Sequence, residues 1–437
     1  MKLNKMGRVG LASVLSLAMM SVTACSRDYV LAYLYVTTAK PLATGSLNGG
    51  ISAFAVDFQS GSLLPLADSP IPAGNNPVAL AASPNQLSLY VINQNDSNVM
   101  VFSIGTDGKL YNQQTVNVTG SSPTAVAIDA AGKFLYVTFT YQLGPTGQQL
   151  YSTSSPGPGG ITVFPVKSDG TLDTPVMNTT VGGATAGAPL NYFPVGNKPV
   201  GIVTSKPQLN VAPLGFVYVI DQDTQSTGNA NGVLLGFSEN LTTGVLTPTP
   251  GTVITAPAGG GKTTATGYGA GTTPSSIAED PSARFLYVTD ETSNQLYGYV
   301  LAASGAPVPM TDGPFNTGLF PVSVTVDPRG RYLYVANFTS STVGAYAINI
   351  STGTPTASIG SSSQATDANP TCVTIEPALG IYLYTSNQLG NDVSALQLSP
   401  NTGGLQPVIN TPFPSNGLPT CAVAVANGGH PTQLINP

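Results

Sequence analysis

The sequence predicts an all-β fold: seven sheets of four antiparallel strands, set radially and closed into a ring by pairing of the first and last strands. Three observations predict it. A strand signature of the type L-Y-V-T recurs seven times, starting at Leu34, Leu89, Leu135, Val217, Leu286, Leu333 and Leu383. A second strand type opens on proline, also seven times, at Pro77, Pro123, Pro199, Pro274, Pro321, Pro370 and Pro419. The ends are out of phase: the first signature strand has no proline-opened strand before it, and the last proline-opened strand has no signature strand after it. Joining the two completes one sheet. A β-rich unit that recurs about every 45 to 50 residues and cannot bury its own faces reads as a propeller or array. Closure removes the sheet edges that invite aggregation.

Within each unit the elements follow in order. The proline-opened strand is the inner one, because proline suits a first strand position where no ladder donor is needed. Two residues on, the side chain is always small: Ala79, Ala125, Gly201, Ser276, Ser323, Cys372 and Cys421. Crowding near the ring axis accounts for that. The signature strand is second. The third carries an aromatic (Phe54, Phe102, Phe164, Phe237, Tyr299, Tyr346) except at Leu396, and these rings are expected to pack between blades. A turn such as Asp107-Gly108, Asp169-Gly170 or Thr243-Gly244 leads to the fourth strand, its glycine supplying the positive φ that hairpins demand.

Composition is consistent with turn-rich β-structure. The 437 residues include 49 Gly and 37 Pro, with 8% charged and 41% hydrophobic residues alternating at strand period. Residues 1–24 read as a targeting segment: Lys2, Lys5 and Arg8 precede an apolar run, Val9 to Val22, too short to span a bilayer comfortably. Val22-Thr23-Ala24-Cys25 resembles a bacterial lipobox, which implies lipidation of Cys25 and a membrane partner, with Ser26 favouring the outer membrane. Residues 25–30 would be a tether shorter than about 20 Å. The ring is expected over 31–429, with a tail at 430–437. Losing the leader removes three basic residues and no acidic one, so the net charge moves from −6 to −9. Such a chain lacks the basic footprint of a nucleic-acid binder.

Two units are longer than the rest, through insertions at 142–160, 182–198, 222–232 and 256–273. Each follows a signature strand or precedes an inner strand, so all emerge on one face, where grown loops usually carry function. Tyr141, Tyr151, Tyr192, Phe193 and Tyr268 populate or border these loops and are the ligand-binding candidates. Glu279 is the one charged residue at its inner-strand position and the weak catalytic candidate; Arg284, across a tight hairpin, supplies the simpler account, a structural ion pair. Asp221, Asp290, Asn93, Asn337 and Asn387 end signature strands and are expected to bind turn backbone. Asp221 with Asp223 is a weak metal candidate only. Gly259 to Thr263 lacks the first glycine of a phosphate loop and no helix follows, so no nucleotide and no other cofactor is expected. Cys372 and Cys421 occupy one position in adjacent inner strands, which suits a disulfide in an oxidising compartment.

The repeat resembles the seven-bladed propeller family of the 6-phosphogluconolactonase type and its Y-V-T-N surface-protein relatives. That resemblance implies the fold over 31–429 and points to lactone chemistry. In such relatives an inner strand begins Pro-His, and His, Glu and Arg are assigned to the channel mouth. Here the residues after the seven prolines are Val78, Thr124, Val200, Ser275, Val322, Thr371 and Thr420, and the only histidine, His430, lies in the tail. The sequence therefore favours a lipid-anchored envelope propeller that binds a small molecule, glycan or envelope protein through its loops without catalysis. The alternatives are a lactone hydrolase or lactone-forming isomerase, and a surface-layer component.

Overall fold

The structure, a computed structural model, describes residues 29–142, 159–179, 190–206, 214–222, 231–255, 264–358 and 362–428. Cys25, Tyr151, Asp223, His430 and residues 259–263 lie outside them. Seven antiparallel sheets form, whose inner strands are Pro77–Ala82, Gly120–Ile128, Pro199–Ser205, Pro274–Glu279, Pro321–Val326, Pro370–Ile375 and Pro419–Ala426. These define blades 1 to 7. In blade 7 the inner strand from the C-terminal end pairs with Val30–Thr38, with Tyr33 opposite Val425 and Thr37 opposite Cys421. The ring closes as the phase of its ends predicts.

The four-strand expectation holds for three strands per blade and bends at the fourth. In blades 3 to 7 the outer strand is in two pieces that pair with opposite ends of the third strand, as Leu63–Pro65 and Ile71–Asn75 do in blade 7. Pro70, Pro314 and Pro412 lie in three of these breaks, and proline has no N–H for the ladder. A separate ribbon, Val253–Thr255 with Thr264–Thr266, grows from the break in the outer strand of blade 3, between Leu246–Pro248 and Tyr268–Gly269.

Two bonding schemes stitch neighbouring blades together. The signature tyrosines are buried, and six donate their hydroxyl to the turn-glycine carbonyl of the following blade: Tyr35 to Gly108, Tyr90 to Gly170, Tyr218 to Gly305, Tyr287 to Gly353, Tyr334 to Gly403 and Tyr384 to Gly61. Buried hydroxyls require such partners. Nearer the axis, the small inner-strand residue accepts from the neighbouring strand: Val324 N donates to Ser276 Oγ, Val373 N to Ser323 Oγ and Ala422 N to Cys372 Sγ. A larger side chain would separate these strands, so crowding does set the choice. Third-strand Phe54, Phe102, Phe164, Phe237 and Tyr299 are buried, as inter-blade packing requires. Cys372 and Cys421 form a disulfide between blades 6 and 7.

Candidate functional site

The two faces of the ring carry different chemistry. On the lower face, inner strands turn back into signature strands, and carboxylates close those hairpins. Asp129, Asp280, Asp327 and Glu376 each accept two backbone N–H groups from the returning strand, as Asp280 Oδ1 does from Arg284 N (2.8 Å) and Phe285 N (2.6 Å). These acids are structural. A lower-face crevice of about 240 Å³ lined by Tyr33, Asn85, Leu87 and Asn427 has no carboxylate or ammonium in its wall.

Glu279 lies at this lower end, and its expected ion pair with Arg284 is not formed. Arg284 instead donates through Nε to Ser282 Oγ (2.8 Å) and through Nη2 to Ile350 O (2.9 Å), with its guanidinium 4.9 Å from the Phe285 ring centroid. The reason is alternation: adjacent residues on a strand point to opposite sides, so the hairpin belongs to Asp280 and Glu279 turns toward blade 3. There Oε1 is enclosed with no hydrogen-bond partner. Burial pushes the carboxyl up to about 8, while Ser205 and Lys206 pull it down. Five residues of extended chain, about 17 Å, separate Glu279 from Pro274 at the opposite mouth. Glu279 and the loop aromatics therefore do not share a site.

The upper mouth is built from two positions per blade. In six blades the residue before the inner-strand proline offers its carbonyl to the residue that follows the signature strand: Gln94 N to Asn76 O, Gln222 N to Lys198 O, Glu291 N to Thr273 O, Phe338 N to Phe320 O, Gln388 N to Asn369 O and Ala39 N to Leu418 O. Five of these twelve side chains are amides: Asn76, Asn369, Gln94, Gln222 and Gln388. Where histidine would follow the proline, hydroxyls tie the blades instead: Thr124 Oγ1 donates to Pro199 O, Ser275 Oγ to Pro321 O, and Thr420 Oγ1 to Pro77 O, each at 2.7 Å. Gln222 Nε2 makes the matching contact to Pro274 O at 2.8 Å.

Glu291 and Lys198 bring charge to this rim. They belong to adjacent blades 4 and 3. Burial raises the Glu291 carboxyl above its ordinary value and Asp290 adds to the rise, while the Lys198 ammonium lowers it. Beside them Asn197 is buried with neither end of its amide bonded. Sequence reasoning missed this pair because it surveyed the inner strands. The available signal was Glu291 standing where three other blades have Gln94, Gln222 and Gln388.

The remaining candidates divide. Phe193 is fully buried, paired with Ile161, and Tyr192 packs edge-on to Phe139 at 5.5 Å, so both form wall and not loop surface. The small residues Gly160 and Gly120 leave the space that the Phe139 and Tyr192 rings occupy. Tyr268 is partly buried and donates to Pro250 O at 2.7 Å. Tyr141 sits on the upper extension of its strand, opposite Ser121. Asp290 accepts from four backbone N–H groups, and Asn93 and Asn337 each accept from one, as turn binders should. Asp221 accepts from Lys198 N. Asn387 departs from the expectation and donates to Asp392 and Ser394 side chains, because Asp392 is itself buried. Among the described residues no group of three or more His, Cys, Asp or Glu is placed to hold a metal ion.

Comparison with known proteins bears on this geometry. Residues 33–188 and 242–375, well over half of the chain, match the family described as lactonase, 7-bladed β-propeller. Among solved structures, a putative 6-phosphogluconolactonase from Bacteroides uniformis superimposes with a TM-score of 0.64 at 20% identity, over 91% of this chain and 100% of that one. The periplasmic gluconolactonase of Pseudomonas aeruginosa gives 0.63 at 19% identity, over 91% and 99%. At such identities the likeness is one of fold. No curated protein sequence matches. With the seven blades, the closing strand pair and the family match in agreement, the chain belongs to the seven-bladed β-propeller lactonase family.

Proposed function

We propose that the protein hydrolyses a lactone at the upper mouth, with Glu291 as general base and Lys198 as the cation facing the developing oxyanion. Glu291 takes a proton from water as the water oxygen attacks the lactone carbonyl carbon. The ring C–O bond then breaks, the departing oxygen takes up a proton, and a hydroxy acid leaves. One observation carries the reading: a half-buried carboxyl, raised by burial and lowered by the charge of an ammonium on the neighbouring blade, lies on the loop-bearing side of a lactonase-family ring. A raised carboxyl is a better base near neutral pH, and such tuning marks functional sites. This chemistry uses no histidine, which fits the hydroxyls and valines that follow the seven prolines. It replaces the binding-only reading, which rests on the repeat and the lipobox together with that missing histidine.

The test is lactone turnover by pH-stat, corrected for spontaneous opening, with δ-gluconolactone, 6-phosphogluconolactone and γ-alkyl lactones. Glu291→Gln should lower kcat by about 100-fold or more, and Glu279→Gln should leave it unchanged. Full activity in Glu291→Gln, or no lactone opened above the spontaneous rate, overturns the proposal. Ligand binding without turnover would restore the scaffold reading.

A further inference from the structure

We propose that the substrate of this site is an uncharged lactone bearing an apolar chain, held on an arc of exposed apolar side chains along blades 5 to 7. The inference rests on the hydrolase reading and specifies its substrate class. Leu319 (55% exposed), Phe320 (38%), Leu389 (61%) and Leu418 (39%) lie on the upper rim, with Phe338 beside Phe320 at a ring-centroid distance of 6.0 Å. The arc adjoins the reactive pair, because Phe320 N donates to Asn294 Oδ1 at 2.7 Å and Asn294 is in the turn that Glu291 begins.

The backbone makes the arc hard to dismiss as incidental. The residue before the inner-strand proline takes a left-handed conformation in blades 1, 2, 5, 6 and 7, at Asn76 (φ 53°), Ser122 (53°), Phe320 (58°), Asn369 (60°) and Leu418 (48°). Asparagine visits this region readily, and bulky side chains do so at a cost. Blades 1 and 6 use asparagine. Blades 5 and 7 place Phe and Leu there, adding strain and exposing apolar surface where Asn would serve the backbone better. An observed outlier of this kind points toward function.

Charge argues against a phosphorylated substrate. Among the described residues, Lys40 and Lys198 are the rim's cations, on blades 7 and 3, while Arg284, Arg329 and Arg331 all sit on lower-face hairpins. Phosphate recognition typically gathers Arg or Lys around one anion. The acids Glu291, Asp367 and Asp392 lie on the upper side and would repel it.

The experiment measures binding of non-hydrolysable γ-alkyl lactams of two to ten side-chain carbons by calorimetry, alongside turnover of the matching lactones and of δ-gluconolactone. Affinity and kcat/KM should rise up to about fourfold per added methylene until the arc is covered. Phe320→Asn and Leu418→Asn suit the left-handed backbone and should fold at least as stably, yet flatten that chain-length dependence. Flat lactam affinities with δ-gluconolactone turned over would overturn the apolar substrate and leave the hydrolase standing. Chain-length-dependent lactam binding without any turnover would keep the apolar subsite and overturn the hydrolase.

Discussion

Replacing Glu239 with Gln should make the protein's stability less sensitive to pH between 5 and 8. The belt of tyrosine-to-glycine bonds has one gap: the Tyr136 hydroxyl reaches no turn-glycine carbonyl and instead faces the carboxyl of Glu239, which is 1% exposed. Burial pushes Glu239 up to about 7; Asp129 adds to the rise, and Tyr136 and Lys133 oppose it. The sign follows from linkage. The fold prefers the protonated form, so the unfolded carboxyl ionises first, near its ordinary 4.5. The stability contribution is full below that pH, falls as pH rises toward 7 and is flat above. The gap between 4.5 and about 7, at about 1.4 kcal/mol per pH unit, is worth about 3 kcal/mol. With roughly 2 cal/mol/K of unfolding entropy per residue over a ring of this size, that is ~4 °C in Tm. Glutamine keeps the shape and removes the titration. Differential scanning calorimetry of both proteins from pH 4.5 to 8.5 gives the difference curve, in which Glu279 and Asp392 cancel. Glu239→Gln should gain on wild type progressively with pH. Parallel Tm curves would refute the reasoning, and so would a variant that loses ground as pH rises.

Three further outcomes are expected. Tyr287→Phe removes the donor to Gly353 O and should cost about 1–3 kcal/mol in chemical denaturation, whereas Tyr136→Phe breaks no bond to a turn glycine and should cost less. Equal losses in the two variants would contradict the belt. Replacing Cys372 and Cys421 together by Ser should lower stability by about 2–4 kcal/mol, since the bridge closes a 49-residue separation, and non-reducing peptide mapping should recover the linked pair in wild type. If Glu291 is the base, the acidic limb of the kcat/KM profile should fall above the ordinary carboxylate range, with activity rising as pH rises through it. Removing the ammonium with Lys198→Met should move that limb to higher pH.

The ring was legible because its period is written in several independent signals: an opening proline, a small residue two positions on, a signature tyrosine and a turn glycine. Strand count, closure and the cystine follow from their phase alone. The relation between signals was hidden. The tyrosine and the glycine that accepts from it belong to consecutive blades, 66 to 87 residues apart except where Tyr384 meets Gly61 across the closure. No local pattern pairs them. Glu279 was conspicuous as the odd residue of an inner strand, but its partner depended on which side of the strand it faced. Phe193 read as a loop aromatic because the chain around it is irregular, and only its pairing with Ile161 brings it into the wall.

A repeat of this kind sorts residues by whether they obey it. Asp129, Asp280, Asp327 and Glu376 recur at one place and do one job, holding hairpin amides. A residue common to most blades is explained by the blade, and catalysis at every blade would be absurd. Chemistry should therefore lie where a position changes type without a structural return. Glu239 is one such change, but it is sealed in the wall, so its effect is confined to stability. Glu279 is another, at the mouth away from the grown loops. Glu291 puts a carboxyl where three blades carry Gln, in the field of Lys198 and in the turn whose Asn294 holds Phe320, which keeps an unfavourable backbone conformation. Three departures within three consecutive blades, on the face where the loops are longest, are what a site assembled by local divergence of an otherwise uniform ring would look like.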